Sequence, residues 1–120
     1  MRSIVVSSLL VTAAAIAAHA QDLQGLAKML DANASASAYA RMCDEEPLAD
    51  QLKADTMMLL AVSGLPPHNV QLGSAKFNEV MRREYAATKS PKDVDCPVRI
   101  REARERLTET LGILQATRRQ

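Results

Sequence analysis

CPVRIREARERLTETLGIL, residues 96–114, is the stretch from which the rest of this chain can be placed. Its apolar residues recur at intervals of three and four, which puts them on one stripe of an α-helix. They are Ile100, Ala103, Leu107, Leu111 and Leu114. Pro97 suits the first helical position, because the N–H that it lacks would have no helical partner there. The stretch therefore predicts a long amphipathic helix that begins beside Cys96.

The first twenty residues are typical of an export signal. Arg2 supplies a positive start, residues 4–18 are apolar, and Ala18-His19-Ala20 has small residues at the two positions that signal peptidase reads. Cleavage is predicted before Gln21, which offers no thiol for lipid attachment. The apolar run is too short for a membrane span. We expect a periplasmic or secreted protein with no membrane span after cleavage; an uncleaved N-terminal anchor is the alternative.

The predicted mature chain, residues 21–120, is long enough for one small domain. Without Arg2 it has 14 basic and 14 acidic residues, and this balance argues against nucleic acid as a partner. Its aromatic residues are only Tyr39, Phe77 and Tyr85, so platforms for stacking bases are nearly absent.

Cys43 and Cys96 are the only cysteines, and in an exported chain they predict one disulfide. The bond would close a loop of 52 residues, for which the chain-entropy model gives about 4 kcal/mol of stabilisation. Two free thiols or an intermolecular bond are the alternatives.

Four helices and no strands are predicted, which makes the fold all-α. The helices cover residues 22–42, 44–63, 67–88 and 96 to the end. Gly64 suits a left-handed helix end. The short connections favour an antiparallel up-down bundle. In that topology the first helix ends at the pole where the fourth begins, which agrees with a bond between Cys43 and Cys96.

Residues for catalysis or for metal and cofactor binding are scarce, so we expect no enzyme and no cofactor. His68 is the only histidine after the predicted signal and has no nearby nucleophile, so we interpret it as a helix-start residue. The side chains of residues 44–46, Asp-Glu-Glu, diverge and do not form a calcium loop. No zinc or haem spacing occurs. The four arginines between residues 99 and 106 alternate with glutamates and are interpreted as a solvated, ion-paired face.

Two acids fall on or near the apolar stripes of their helices. Glu84 lies within the apolar arc of the third helix, and Asp55 lies at the edge of the arc of the second. If either carboxylate is buried without a partner, the fold becomes sensitive to pH. Exposure or a simple ion pair is the alternative.

Met57 and Met58 project away from the inward side of the second helix, on opposite flanks. Either the alanine-rich half of the first helix covers them, or they form an interface with another protein or a second copy of the chain. Methionine suits an interface because its flexible thioether adapts to a partner surface.

The general plan, an export signal followed by about a hundred helical residues and one long-loop disulfide, is similar to that of the periplasmic acid-stress chaperones. The similarity covers architecture alone and gives no residue a role, because none of their local motifs is matched. We expect a non-enzymatic periplasmic protein that binds another protein. An immunity or inhibitor protein and an acid-responsive chaperone are the alternatives.

Overall fold

The computed structural model describes residues 23–119, so the predicted export signal lies outside the described residues. Four α-helices follow one another. They are α1 over residues 23–42, α2 over Glu46–Val62, α3 over Pro67–Ala87 and α4 over Cys96–Arg119. A short 3₁₀ turn, Pro91–Asp93, lies between α3 and α4. The predicted all-α fold is confirmed, and no strand occurs within residues 23–119.

The helix ends differ from the prediction at one residue. Asp44 has φ 63° and therefore ends α1 in the left-handed conformation, whereas the sequence placed it in the first turn of the second helix. The N–H of Asp44 donates to the carbonyl of Arg41, and that of Glu45 donates to the carbonyl of Ala40, as in a Schellman motif. At the other pole Gly64 has φ 81°, so the predicted left-handed turn after α2 is confirmed.

The helices alternate in direction. Ala40, late in α1, packs with residues early in α2 and α4, so these two helices run antiparallel to α1. Tyr39 late in α1 contacts Glu84 late in α3, so α3 runs parallel to α1. The predicted up-down bundle is confirmed.

The predicted disulfide is also confirmed. Cys43 and Cys96 are bonded, with their Cα atoms 5.6 Å apart, at the pole where α1 ends and α4 begins. The bond fastens the C-terminal end of α1 to the N-terminal end of α4.

Most of the buried apolar residues belong to two clusters. The first, here called the α3 cluster, joins α1, α2 and α3 through Leu30, Ala34, Leu60, Phe77 and Val80. The second, the α4 cluster, joins α1, α2 and α4 through Ala40, Ala49, Leu52 and Ala103. Its alanines allow close helix approach.

Candidate functional site

A layer of buried polar side chains crosses the bundle at mid-height. The Asn33 amide nitrogen donates to the hydroxyl oxygens of Thr56 (2.9 Å) and Thr110 (2.8 Å). The Nε of Arg106 donates to the Asn33 carbonyl oxygen at 2.9 Å. Both donors and the acceptor of this buried amide are therefore used, and the network holds α1, α2 and α4 in one register. The contribution of this network that the geometry shows is structural, because one side chain connects three helices.

Sequence reasoning missed this layer, although a signal for it exists. Asn33, Thr56 and Thr110 stand at helical spacing from the buried Leu30, Leu52 and Leu114 on the same three helices. One polar residue on each of three apolar stripes indicates a shared polar layer. Arg106 was interpreted as part of a solvated face; instead its Nε reaches the buried Asn33, while its terminal nitrogen pairs with Glu109 at 2.6 Å.

A second polar cluster lies near the disulfide. The Tyr39 hydroxyl donates to a carboxylate oxygen of Glu84 at 2.8 Å. The Arg99 guanidinium carbon lies 3.8 Å from the centre of the Tyr39 ring, at cation–π distance. The hydrogen bond to the Glu84 carboxylate, followed by burial, raises the pKa of Tyr39. The half-buried Glu84 thus has a phenol as its hydrogen-bond partner.

A cleft of about 590 Å³ opens beside this cluster, between the end of α3 and the start of α4. A groove of about 370 Å³ between α1 and α4 shares Tyr39, Arg99 and Glu102 with it. Acidic and basic side chains line the cleft together, including Lys89 and Asp93. Such mixed charge favours neither a purely anionic nor a purely cationic ligand.

The other predicted acid, Asp55, is 9% exposed. Both of its carboxylate oxygens lie 3.0 Å from the side-chain nitrogen of Gln51. No salt bridge reaches Asp55 or Glu84 within residues 23–119. Both carboxylates therefore have neutral hydrogen-bond partners in the described part of the chain.

The two methionines have different environments. Met57 is half-buried and packs against the α3 cluster, whereas Met58 is 44% exposed. Val62, one turn after Met58, is 39% exposed, and Leu111 on α4 is 38% exposed. Because Thr56 and Thr110 meet at Asn33 and α2 runs parallel to α4, Leu111 is nearly level with Met58. We call these three exposed apolar residues of α2 and α4, Met58, Val62 and Leu111, the α2–α4 face.

Basic residues border this face on α4. Arg104 and Arg118 lie seven residues before and after Leu111, which places all three on one side of the helix. Arg104 is exposed and makes no ion pair in the described part of the chain. It lines a shallow depression of about 510 Å³ together with Ile100, Arg101 and two acidic residues, Glu105 and Glu109. The α2–α4 face therefore has an apolar centre, and two exposed arginines stand seven residues to either side of Leu111 on α4.

His68 is exposed in the first turn of α3, where the sequence placed it. Within the described range, no group of three or more His, Cys, Asp or Glu residues is arranged to hold a metal ion. None of the helices in that range combines the length and the hydropathy that crossing a membrane requires.

Comparison of the chain with protein-family models, with curated proteins and with solved structures finds no match. The α2–α4 face and the cleft beside Tyr39 are the two candidate contact sites of the chain, and the first has an exposed apolar centre.

Proposed function

We propose that this chain is a small exported, non-enzymatic helical protein that binds another protein through the α2–α4 face. The observation that carries the proposal is the exposure of Met58, Val62 and Leu111: Leu111 on α4 is nearly level with Met58, and Val62 lies one turn further along α2. Apolar side chains that cluster on a surface are typical of contact sites. Methionine is well suited to such a site, because its flexible side chain adapts to a partner.

The charges around the face indicate the chemistry of the partner. Exposed Arg104 and Arg118 flank Leu111 along α4. A partner with an apolar centre and an acidic rim would complement them, because such rims steer association and suppress wrong partners. The predicted mature chain is balanced in charge, so this basic edge is a local property of α4.

A non-enzymatic role is part of the proposal because the residues most often used as nucleophile and base, cysteine and histidine, are not paired with each other here. Both cysteine thiols are joined in the disulfide. The exposed His68 makes no side-chain hydrogen bond to residues 23–119, so no base–nucleophile pair supports a covalent mechanism there.

A photo-crosslinking residue at position 58, in cells that export the protein, tests the proposal. Position 79 is the matched control, because Glu79 is exposed on α3, away from the face. We expect position 58 to capture a partner that mass spectrometry identifies and that position 79 does not. With the purified partner, Met58→Lys and Arg104→Glu should each raise the dissociation constant at least about tenfold, and Glu79→Lys should not.

Other crosslinking results would change the assignment. Capture of a second copy alone would make the face a homodimer interface. Equal capture from positions 58 and 79 would contradict the proposal. If the partner is an enzyme or toxin that loses activity when it is bound, the protein is an inhibitor or immunity protein of the same kind.

An acid-responsive chaperone is the second candidate, and the burial of Asp55 favours it. The carboxylate of Asp55 is nine-tenths buried and lies beside a neutral partner, the side-chain amide of Gln51. Circular dichroism and binding of an apolar dye between pH 7 and pH 2 test this candidate. A reversible acid state that binds the dye would support it. An unchanged fold at pH 2 would exclude it.

A further inference from the structure

We infer that α3 is a strap that opens as a unit while α1, α2 and α4 stay together as a frame. The frame has two links that involve no atom of α3. The Cys43–Cys96 disulfide joins the end of α1 to the start of α4. At mid-height, Asn33 joins α1 to Thr56 on α2 and to Thr110 on α4.

The strap has weaker polar links to the frame. Within residues 23–119, two side-chain hydrogen bonds join α3 to other helices, from Tyr39 to Glu84 at 2.8 Å and from Lys53 to Asn78 at 3.0 Å. The first is half-buried and the second is exposed, so water can replace both partners at little cost. Apart from these bonds, α3 is held by packing, in which Phe77 and Val80 are its buried residues.

The division of the core lets the strap leave without dismantling the frame. The α3 cluster and the α4 cluster have no buried residue in common. On α2, Thr56 of the polar layer stands one turn after Leu52 of the α4 cluster and one turn before Leu60 of the α3 cluster. Because packing forces are short-ranged, the removal of Phe77 and Val80 leaves the four residues of the α4 cluster in contact with one another.

The segments on both sides of the strap are not α-helical, and the strap lies within the loop that the disulfide closes. Residues 63–66 precede it, including Gly64 in the left-handed conformation, and Thr88 to Asp95 follow it with only one 3₁₀ turn. Opening would uncover Leu30, Leu60 and Met57, which form an apolar trough on α1 and α2. Sub-global openings of this kind occur in native proteins at free energies below that of complete unfolding.

Native-state hydrogen exchange of the oxidised chain, read residue by residue, tests the inference. The two variants are Leu52→Ala, fully buried in the α4 cluster, and Phe77→Ala, fully buried in the α3 cluster. Leu52 keeps its contacts when the strap alone opens, whereas Phe77 loses its contacts in both local and complete unfolding. Leu52→Ala should therefore lower the protection of α4 amides about 30-fold or more and leave α3 amides within about threefold. Phe77→Ala should lower protection in both helices by the same factor.

A concerted bundle gives a different result. In that case the amides of α3 and α4 have the same protection in the unaltered chain, and Leu52→Ala lowers the protection of both helices equally. Either finding would overturn the inference. Leu107→Ala, half-buried against the α4 cluster, replaces Leu52→Ala in the same comparison if that variant does not fold.

Discussion

Asn33 and Thr110 are 77 residues apart in the chain and share a hydrogen bond of 2.8 Å in the centre of the bundle. The same amide also bonds to Thr56 and accepts from Arg106, so three helices meet at one side chain. A buried network of this kind stabilises a fold only when all its members are present, because each orphaned group loses water without gaining a partner.

Replacement of Asn33 tests that dependence. Asn33→Ala should lower the free energy of unfolding by about 1–3 kcal/mol, because Arg106 and both threonines lose a buried partner. Asp31→Ala, on the exposed side of the same helix, should change it by no more than about 0.5 kcal/mol. Urea denaturation followed by circular dichroism measures both. Equal, small losses would show that the polar layer contributes nothing to stability.

The disulfide gives the second prediction. A non-reduced digest should yield a peptide that links Cys43 to Cys96. The double variant Cys43→Ser with Cys96→Ser should lose about 4 kcal/mol of stability, because the unfolded chain is no longer constrained by a 52-residue loop. Thermal unfolding with and without reductant provides the comparison. Free thiols at both positions, or an unchanged melting temperature, would contradict the prediction.

Two helical glycines form a matched pair for the third prediction. A Cβ atom at Gly73 would lie 2.6 Å from a terminal methyl carbon of Leu60, whereas nothing lies within 4 Å of one at Gly112. In a helix interior, alanine stabilises the helix by about 1 kcal/mol relative to glycine. Gly112→Ala should therefore raise the free energy of unfolding by about 0.5–1 kcal/mol, and Gly73→Ala should gain less or lose stability, since Leu60 must move. Equal gains would show that α3 does not approach α2 so closely.

Alkaline pH gives the fourth prediction. The pKa of Tyr39 is raised above 10.0 in the folded chain, chiefly by its hydrogen bond to the Glu84 carboxylate. The unfolded chain therefore loses this proton first as pH rises. The contribution of Tyr39 to the free energy of unfolding is complete below about pH 10 and is lost at higher pH. Tyr39→Phe should reduce the alkaline fall in unfolding free energy.

Tyr85 is the control for that measurement. Burial raises the pKa of Tyr85 as well. The unfolding free energy of Tyr39→Phe should therefore still fall somewhat at alkaline pH, and Tyr85→Phe should remove the part of the fall that is due to Tyr85. Urea denaturation at several pH values between 8 and 11 measures the slope. The same slope in Tyr39→Phe and in the unaltered chain would contradict the assignment.

Much of the fold was predictable because helical periodicity and disulfide chemistry act locally. The four helices, the left-handed Gly64 and the Cys43–Cys96 bond all follow from spacing and residue type. Asp44 was misplaced because an acidic residue suits both a helix start and a left-handed helix end. The hydrogen bonds of the residues around it settle which role it takes.

The sequence by itself determined which residues share a face, because a helix turns by about 100° per residue whatever surrounds it. Only the tertiary structure decided which faces are covered. Met57 and Met58 are adjacent and chemically identical, yet one packs against the α3 cluster and the other is exposed. The polar layer has the same origin: Asn33, Thr56 and Thr110 became partners when three helices packed at one height. Packing depends on the shapes of all the helices together, and no single stretch of sequence contains it.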